Sequence, residues 1–96
     1  MLPVLVRIEN HNWSDVRIYA RRGIGPHSPL GDVRAMATAT FRLPPRLVSD
    51  EPVSFEADPI GGNAVRLADP VLVHPGQRVE LTLENDLAMS SIGVRE

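Results

Sequence analysis

Histidines at positions 11, 27 and 74 are the only nitrogen-rich set in this 96-residue sequence suited to hold a transition metal, because the chain has no cysteine. A zinc or copper centre made of His11, His27 and His74 requires three loops to meet at one end of the molecule, since no two of them stand at i, i+2 or i, i+4. Solvated loop histidines are the simpler reading. The missing thiol also excludes a blue-copper centre, a disulfide framework and a cysteine nucleophile. Asp58, Asn63 and Asp69 flank a glycine turn and bring three side chains to a place where calcium needs six to eight oxygens. Turn chemistry accounts for them: an aspartate before proline and an asparagine after two glycines.

Catalytic patterns are absent. No nucleophile elbow, metalloprotease helix or phosphate-cradling glycine loop occurs, and Gly23-Ile24-Gly25 lacks the following helix that would make it an anion site. Glu80 and Glu84 fall on the wet side of one strand and do not form a pair across a cleft. The expectation is a protein that is not an enzyme and uses no cofactor.

All ten basic residues are arginine, and the formal net charge is -2. Such a balance gives no electrostatic reason to expect nucleic acid as a partner. Without lysine, exposed strand edges must be protected by arginine, proline or another chain. No apolar run approaches the roughly 20 residues of a membrane span, and Met1 to Asn10 has neither a basic leader nor a long apolar segment, so the chain as given is expected to be soluble.

Period-two alternation organises most of the chain. Val4, Val6 and Ile8 share one face against Leu5, Arg7 and Glu9; Val16, Ile18 and Ala20 alternate with Arg17, Tyr19 and Arg21. With the turn-forming stretch Asn10–Ser14 between them, these two strands are expected to form an antiparallel hairpin. Arg22–Pro29, with two glycines and two prolines, reads as a loop. Further strands are expected over Leu30–Arg34, Thr38–Leu43 with Phe41 and Leu43 inward, Val53–Asp58, Ala64–Leu67, Val71–His74, Gln77–Asn85 and Ser90–Arg95. Ala35–Ala37 fits a turn or a bulged continuation, and Asp86–Met89 fits one helical turn. Pro75-Gly76 matches the central positions of a type II turn.

Short strands with turn signals every eight to twelve residues, and no helix long enough to cover a sheet, point to one domain over residues 1–96. The expected fold is all-β, an immunoglobulin-like antiparallel β-sandwich of seven or eight strands, with a small up-and-down β-barrel as the alternative closure. The run Val71-Leu72-Val73-His74-Pro75-Gly76-Gln77-Arg78-Val79-Glu80-Leu81-Thr82-Leu83 resembles bacterial immunoglobulin-like and related β-sandwich domains, in which a Pro-Gly turn precedes an alternating strand. The opening, Val6–Asn12 through Asp15–Tyr19, resembles the first hairpin of small bacterial envelope proteins, and that resemblance implies an exported domain.

The outward face of the expected hairpin offers the first interaction surface. With Ile8 opposite Val16, Arg7 would lie opposite Arg17 and Leu5 opposite Tyr19. Glu80 and Glu84 on a neighbouring strand would then answer the arginine pair, or Arg7, Arg17, Arg21 and Tyr19 would bind an acidic partner through bidentate contacts. Trp13 is expected either to cap the open end of the core or to stand exposed as an anchor. The functional expectation is a structural or interaction module that binds a protein partner or copies of itself through sheet edges or end loops. A small metal- or ligand-binding protein using the loop histidines or Trp13 is the alternative.

Overall fold

Alternating apolar residues sort into two faces along eight strands, and the computed structural model, which describes residues 2–96 apart from the side chain of Ala68, stacks those faces as a β-sandwich. Met1, the first residue of the segment read for a leader, lies outside the described residues. The strands are β1 (Leu5–Asn10), β2 (Val16–Arg22), β3 (Ser28–Val33), β4 (Thr38–Arg42), β5 (Val53–Pro59), β6 (Val65–Val71), β7 (Arg78–Leu83) and β8 (Ser91–Arg95). One sheet has the order β4-β1-β7-β8 and the other β3-β2-β5-β6. Neither closes into a barrel. Inward residues of both sheets, among them Val6, Ile8, Ile18, Phe55, Leu67 and Leu81, form one contiguous buried core.

The expected first hairpin does not form. Strand β1 pairs with β4 on one edge and, in parallel, with β7 on the other, so neither edge is open to β2. The chain therefore crosses to the second sheet between Asn10 and Val16, and β2 finds its partners in β3 and β5. The sandwich is thus not wholly antiparallel. Arg7 consequently faces Glu80 and Thr40, while Arg17 faces Asp32 and Asp58; Leu5 stands opposite Arg42 and Arg78, and Tyr19 opposite Pro29 and Glu56.

Three prolines sit within strands where loops or breaks were expected, one of them, Pro59, as the last residue of β5. Strand β3 starts at Ser28 and includes Pro29, and a single β6 with Pro70 replaces the separate strands Ala64–Leu67 and Val71–His74. Both β3 and β6 are edge strands, where a missing N–H breaks no ladder. A bulge at Ile18/Tyr19 and another between Val53 and Phe55 absorb the irregular register beside them. The Pro75-Gly76 turn forms as expected, with Gly76 at a φ of 87° and the Gln77 N–H donating to the His74 carbonyl at 3.1 Å.

Gly31 shows how closely the layers meet. A Cβ there would lie 2.4 Å from Phe41 Cε1, so the β3 backbone lets the Phe41 ring from the facing sheet pack against it. The substitution Gly31→Ala is expected to lower stability by about 1–3 kcal/mol in a denaturant titration through overpacking. Adding Phe41→Leu should return part of that loss.

Candidate functional site

Strand directions place four connections at one end of the sandwich: residues 11–15, 34–37, 60–64 and 84–90. At the first of these, Asn10, the last residue of β1, and Asn12 are buried, and each uses both its amide nitrogen and its amide oxygen in hydrogen bonds. Asn10 Nδ2 donates to the carbonyls of Ser14, Val33 and Arg34 at 3.0, 3.2 and 3.1 Å, and its Oδ1 accepts the Asn12 N–H at 2.9 Å. Asn12 repeats the pattern two residues on: Oδ1 accepts the Ser14 N–H at 2.9 Å, and Nδ2 donates to the carbonyls of Glu84 and Asn85, each at 3.0 Å. The pair is two consecutive Asx turns whose amide nitrogens reach across to other connections. Asp15 supplies further ties, its Oδ1 accepting the Ala35 N–H at 2.8 Å and its carbonyl the Ile60 N–H at 3.0 Å. The first connection is thereby bonded directly to each of the other three.

Each braced loop presents one large apolar side chain to solvent. Trp13 is 78% exposed, and Met36, Ile60 and Met89 are exposed on the other three loops. Trp13 therefore does not cap the core; Leu83, Leu87 and Val33, all buried near this end, fill that space instead. Leu87 and Met89 flank a single 3-10 turn, Leu87–Met89, whose first N–H groups are capped by Asp86 Oδ1 accepting from the Ala88 N–H at 3.1 Å. One residue of the turn enters the core and the other leaves it.

Met36 carries a second signal. It occupies the left-handed region with a φ of 59°, inside the turn closed by the Ala37 N–H donating to the Arg34 carbonyl at 3.1 Å. Glycine is the default residue for that conformation, and a side chain there costs about 1 kcal/mol. Met36 recovers little of this cost by packing, since it is 64% exposed.

The remaining residues singled out by sequence are dispersed. Arg7 lies on the outer face of the first sheet, 3.7 Å from Glu9 and opposite Glu80. Glu80 is also bonded by Arg95 and lies 3.6 Å from Arg78. Its pKa falls below the ordinary glutamate range, first through the hydrogen bond from Arg95, which outweighs the opposing effect of burial, with the charges of Arg78, Arg95 and Arg7 adding to the lowering. Arg17, on the outer face of the second sheet, donates to both carboxylate oxygens of Asp32, at 2.8 and 3.3 Å. That bond, followed by one involving Tyr19, raises the pKa of Arg17, and it holds Asp32 below the usual carboxylate range. Arg21 Nε donates to the Gly23 carbonyl at 3.1 Å, and Tyr19 packs against His27 with ring centroids 6.2 Å apart. Arg7, Arg17, Arg21 and Tyr19 thus form no single surface, and Arg7 lies on the opposite broad face from the other three.

The histidines do not converge either. His11 sits 3.6 Å from Glu84 at the loop end, His27 lies 3.2 Å from Glu56, and His74 belongs to the Pro75-Gly76 turn at the opposite end. Among the described residues no three histidine, aspartate or glutamate side chains come together in a metal-binding arrangement. Asp58 faces Arg17 across β2, whereas Asn63 lies in the loop between β5 and β6 and Asp69 within β6. A cleft of about 660 Å³ opens beside the braced loops between Asp15, Arg34, Asp58 and Ile60, with the Arg17–Asp32 pair on its wall.

No protein-family model matches this sequence, and no curated protein matches it. Among solved structures, the NMR structure of a protein from Eubacterium rectale is similar, with a TM-score of 0.56 over 96% of this chain and 87% of that one, at 14% identity. That likeness supports the two-layer β fold and carries nothing about activity.

Three substitutions test the loop end. Asn10→Ala removes the amide donor shared by the Ser14, Val33 and Arg34 carbonyls, of which that of Arg34 keeps the Ala37 N–H, and is expected to cost about 2–3 kcal/mol in chemical denaturation; Asn10→Asp should cost at least as much at neutral pH, because an ionised carboxylate has no proton to donate. Met36→Gly is expected to raise the melting temperature, by an amount equivalent to about 1 kcal/mol, even though it deletes a whole side chain.

Proposed function

We propose that this protein is a non-enzymatic interaction module whose binding face is the braced loop end. The observation that carries the reading is the combination of exposed Trp13, Met36, Ile60 and Met89 with a buried hydrogen-bond network that holds their loops in place. Exposed apolar groups on separate loops carry a solubility cost, and tryptophan and methionine are enriched where proteins meet. Rigid display lowers the ordering entropy of association, so a small face binds more tightly than it would on mobile loops. The left-handed Met36 supports the same reading, since a residue that costs stability and stays mostly exposed has its use outside the fold.

The broad faces favour this assignment by contrast. Arg17 is engaged by Asp32, and Arg7 lies between Glu9 and Glu80, so two of the three arginines first considered for an acidic partner are answered within their own sheets, and the third, Arg21, bonds the Gly23 carbonyl. The two-sheet β-sandwich fits as well, since immunoglobulin-like sandwiches present their binding loops at one end of the layers.

A photo-crosslinking amino acid placed at position 36 or 89 in living cells should capture a protein, either a partner or another copy. The same probe at Thr40 or Arg66, exposed on the sides of the sandwich, should give little. Equal capture from the side positions, or none from the loop end, would remove the basis for this assignment.

A further inference from the structure

The end opposite the braced loops also exposes large apolar groups. Leu2 precedes β1, Ile24 stands 95% exposed at the tip between β2 and β3, and Leu72 follows β6. Leu2 lies against the Pro75-Gly76 turn, where a Cβ on Gly76 would be 3.2 Å from Leu2 Cδ1, so part of this end is also fixed in shape. Arg22 Nη1 donates to the Arg46 carbonyl and Arg46 Nη2 to Ser28 Oγ, both at 2.8 Å, tying the β2–β3 tip to the β4–β5 connection.

The two ends differ in charge. At the braced loops, Asp15, Asp58, Glu84 and Asp86 outnumber Arg34 among the described residues. At the opposite end Arg42 and Arg46 stand with Arg78 and Arg95, which share the single carboxylate of Glu80, and these exceed Asp50 and Glu96; Arg22 and Glu51 answer each other at 3.8 Å. One end is therefore apolar with an acidic surplus, and the other apolar with a basic surplus. Each lacks the sign that its own kind would need, and each carries the sign the other would attract.

We infer that the braced loop end of one copy docks on the opposite end of a second copy, head to tail, through Trp13, Met36, Ile60 and Met89 against Leu2, Ile24 and Leu72. Two different surfaces make this a heterologous contact, which repeats along a line instead of closing as a two-fold dimer. The shorter extents of the molecule, 25 and 19 Å, limit each contact to about 500 Å² per partner, at the low end of specific interfaces. Single contacts are accordingly weak, and the association grows with concentration.

This inference rests on the loop end being an interaction face and adds its occupant. The decisive experiment mixes two variants that each lose one end. Trp13→Ser with Met89→Ser blunts the loop end, and Ile24→Ser with Leu72→Ser blunts the opposite end; all four positions are exposed, and an unchanged melting curve verifies the fold. In sedimentation equilibrium the unaltered protein should show a weight-average mass that rises without a plateau toward about 1 mM. Each variant alone should stay monomeric. Their equimolar mixture should form a one-to-one dimer that grows no further, weakened several-fold as salt is raised from about 20 to about 500 mM. A monomeric unaltered protein overturns the inference, as does a mixture that stays monomeric, or a dimer formed by the Ile24→Ser, Leu72→Ser variant alone, which would mean loop end against loop end. If the loop-end crosslinks then lead to a different protein, the interaction-module reading stands and only the head-to-tail contact fails.

Discussion

Both edges of β1 are occupied, and most of the architecture follows from that constraint. With β4 on one side and β7 in parallel on the other, the chain has no place in the first sheet for its next strand and must cross the core at Asn10. A crossing connection leaves backbone groups without ladder partners in a region shielded from water, where each unmade bond is costly. The side chains of Asn10 and Asn12 provide those partners, bonding carbonyls that belong to three different connections. Removing the parallel pairing in thought removes the need for the asparagines, and with them the bracing of the loop end.

The same crossing decides the electrostatics. Arg7 and Arg17, alike in parity and ten residues apart, end on opposite outer faces, and each meets a carboxylate from its own sheet. Exposed pairs of this kind add little to stability. Their effect is to balance charge on the broad faces, so that the surplus of either sign appears mainly at the ends of the molecule.

Much of the core was legible in the sequence, because side-chain alternation is a local property of extended backbone: Val4, Val6, Ile8, Val16, Ile18, Val79, Leu81 and Leu83 are all buried as their parity requires. Strand pairing was not legible to the same degree. Nothing local tells β1 to seek β7, some seventy residues away, in preference to the strand that follows it, and a five-residue turn-rich linker is compatible with either a hairpin or a crossing. Pro29 and Pro70 misled for a related reason, since proline excludes a central strand but not an edge, and edges are defined only once the pairing is known. For the loop end, Asn-x-Asn-x-Ser was a visible signal for consecutive Asx turns, whereas the cross-links made by the amide nitrogens depend on the tertiary arrangement. Met36, Ile60 and Met89 carried no sequence signal of exposure: in each case a large apolar residue in a short connection reads equally well as a core contact.

Trp13, Met36, Ile60 and Met89 hang from a frame that does not lean on them. The frame is secured by amides, carboxylates and backbone groups, and the buried apolar residues beneath it belong to other positions. On the proposed reading, replacement of Trp13, Ile60 or Met89 would change what the end binds and leave folding nearly untouched, so a scaffold of this type could diversify its choice of partner one loop at a time, as a toolholder accepts different bits.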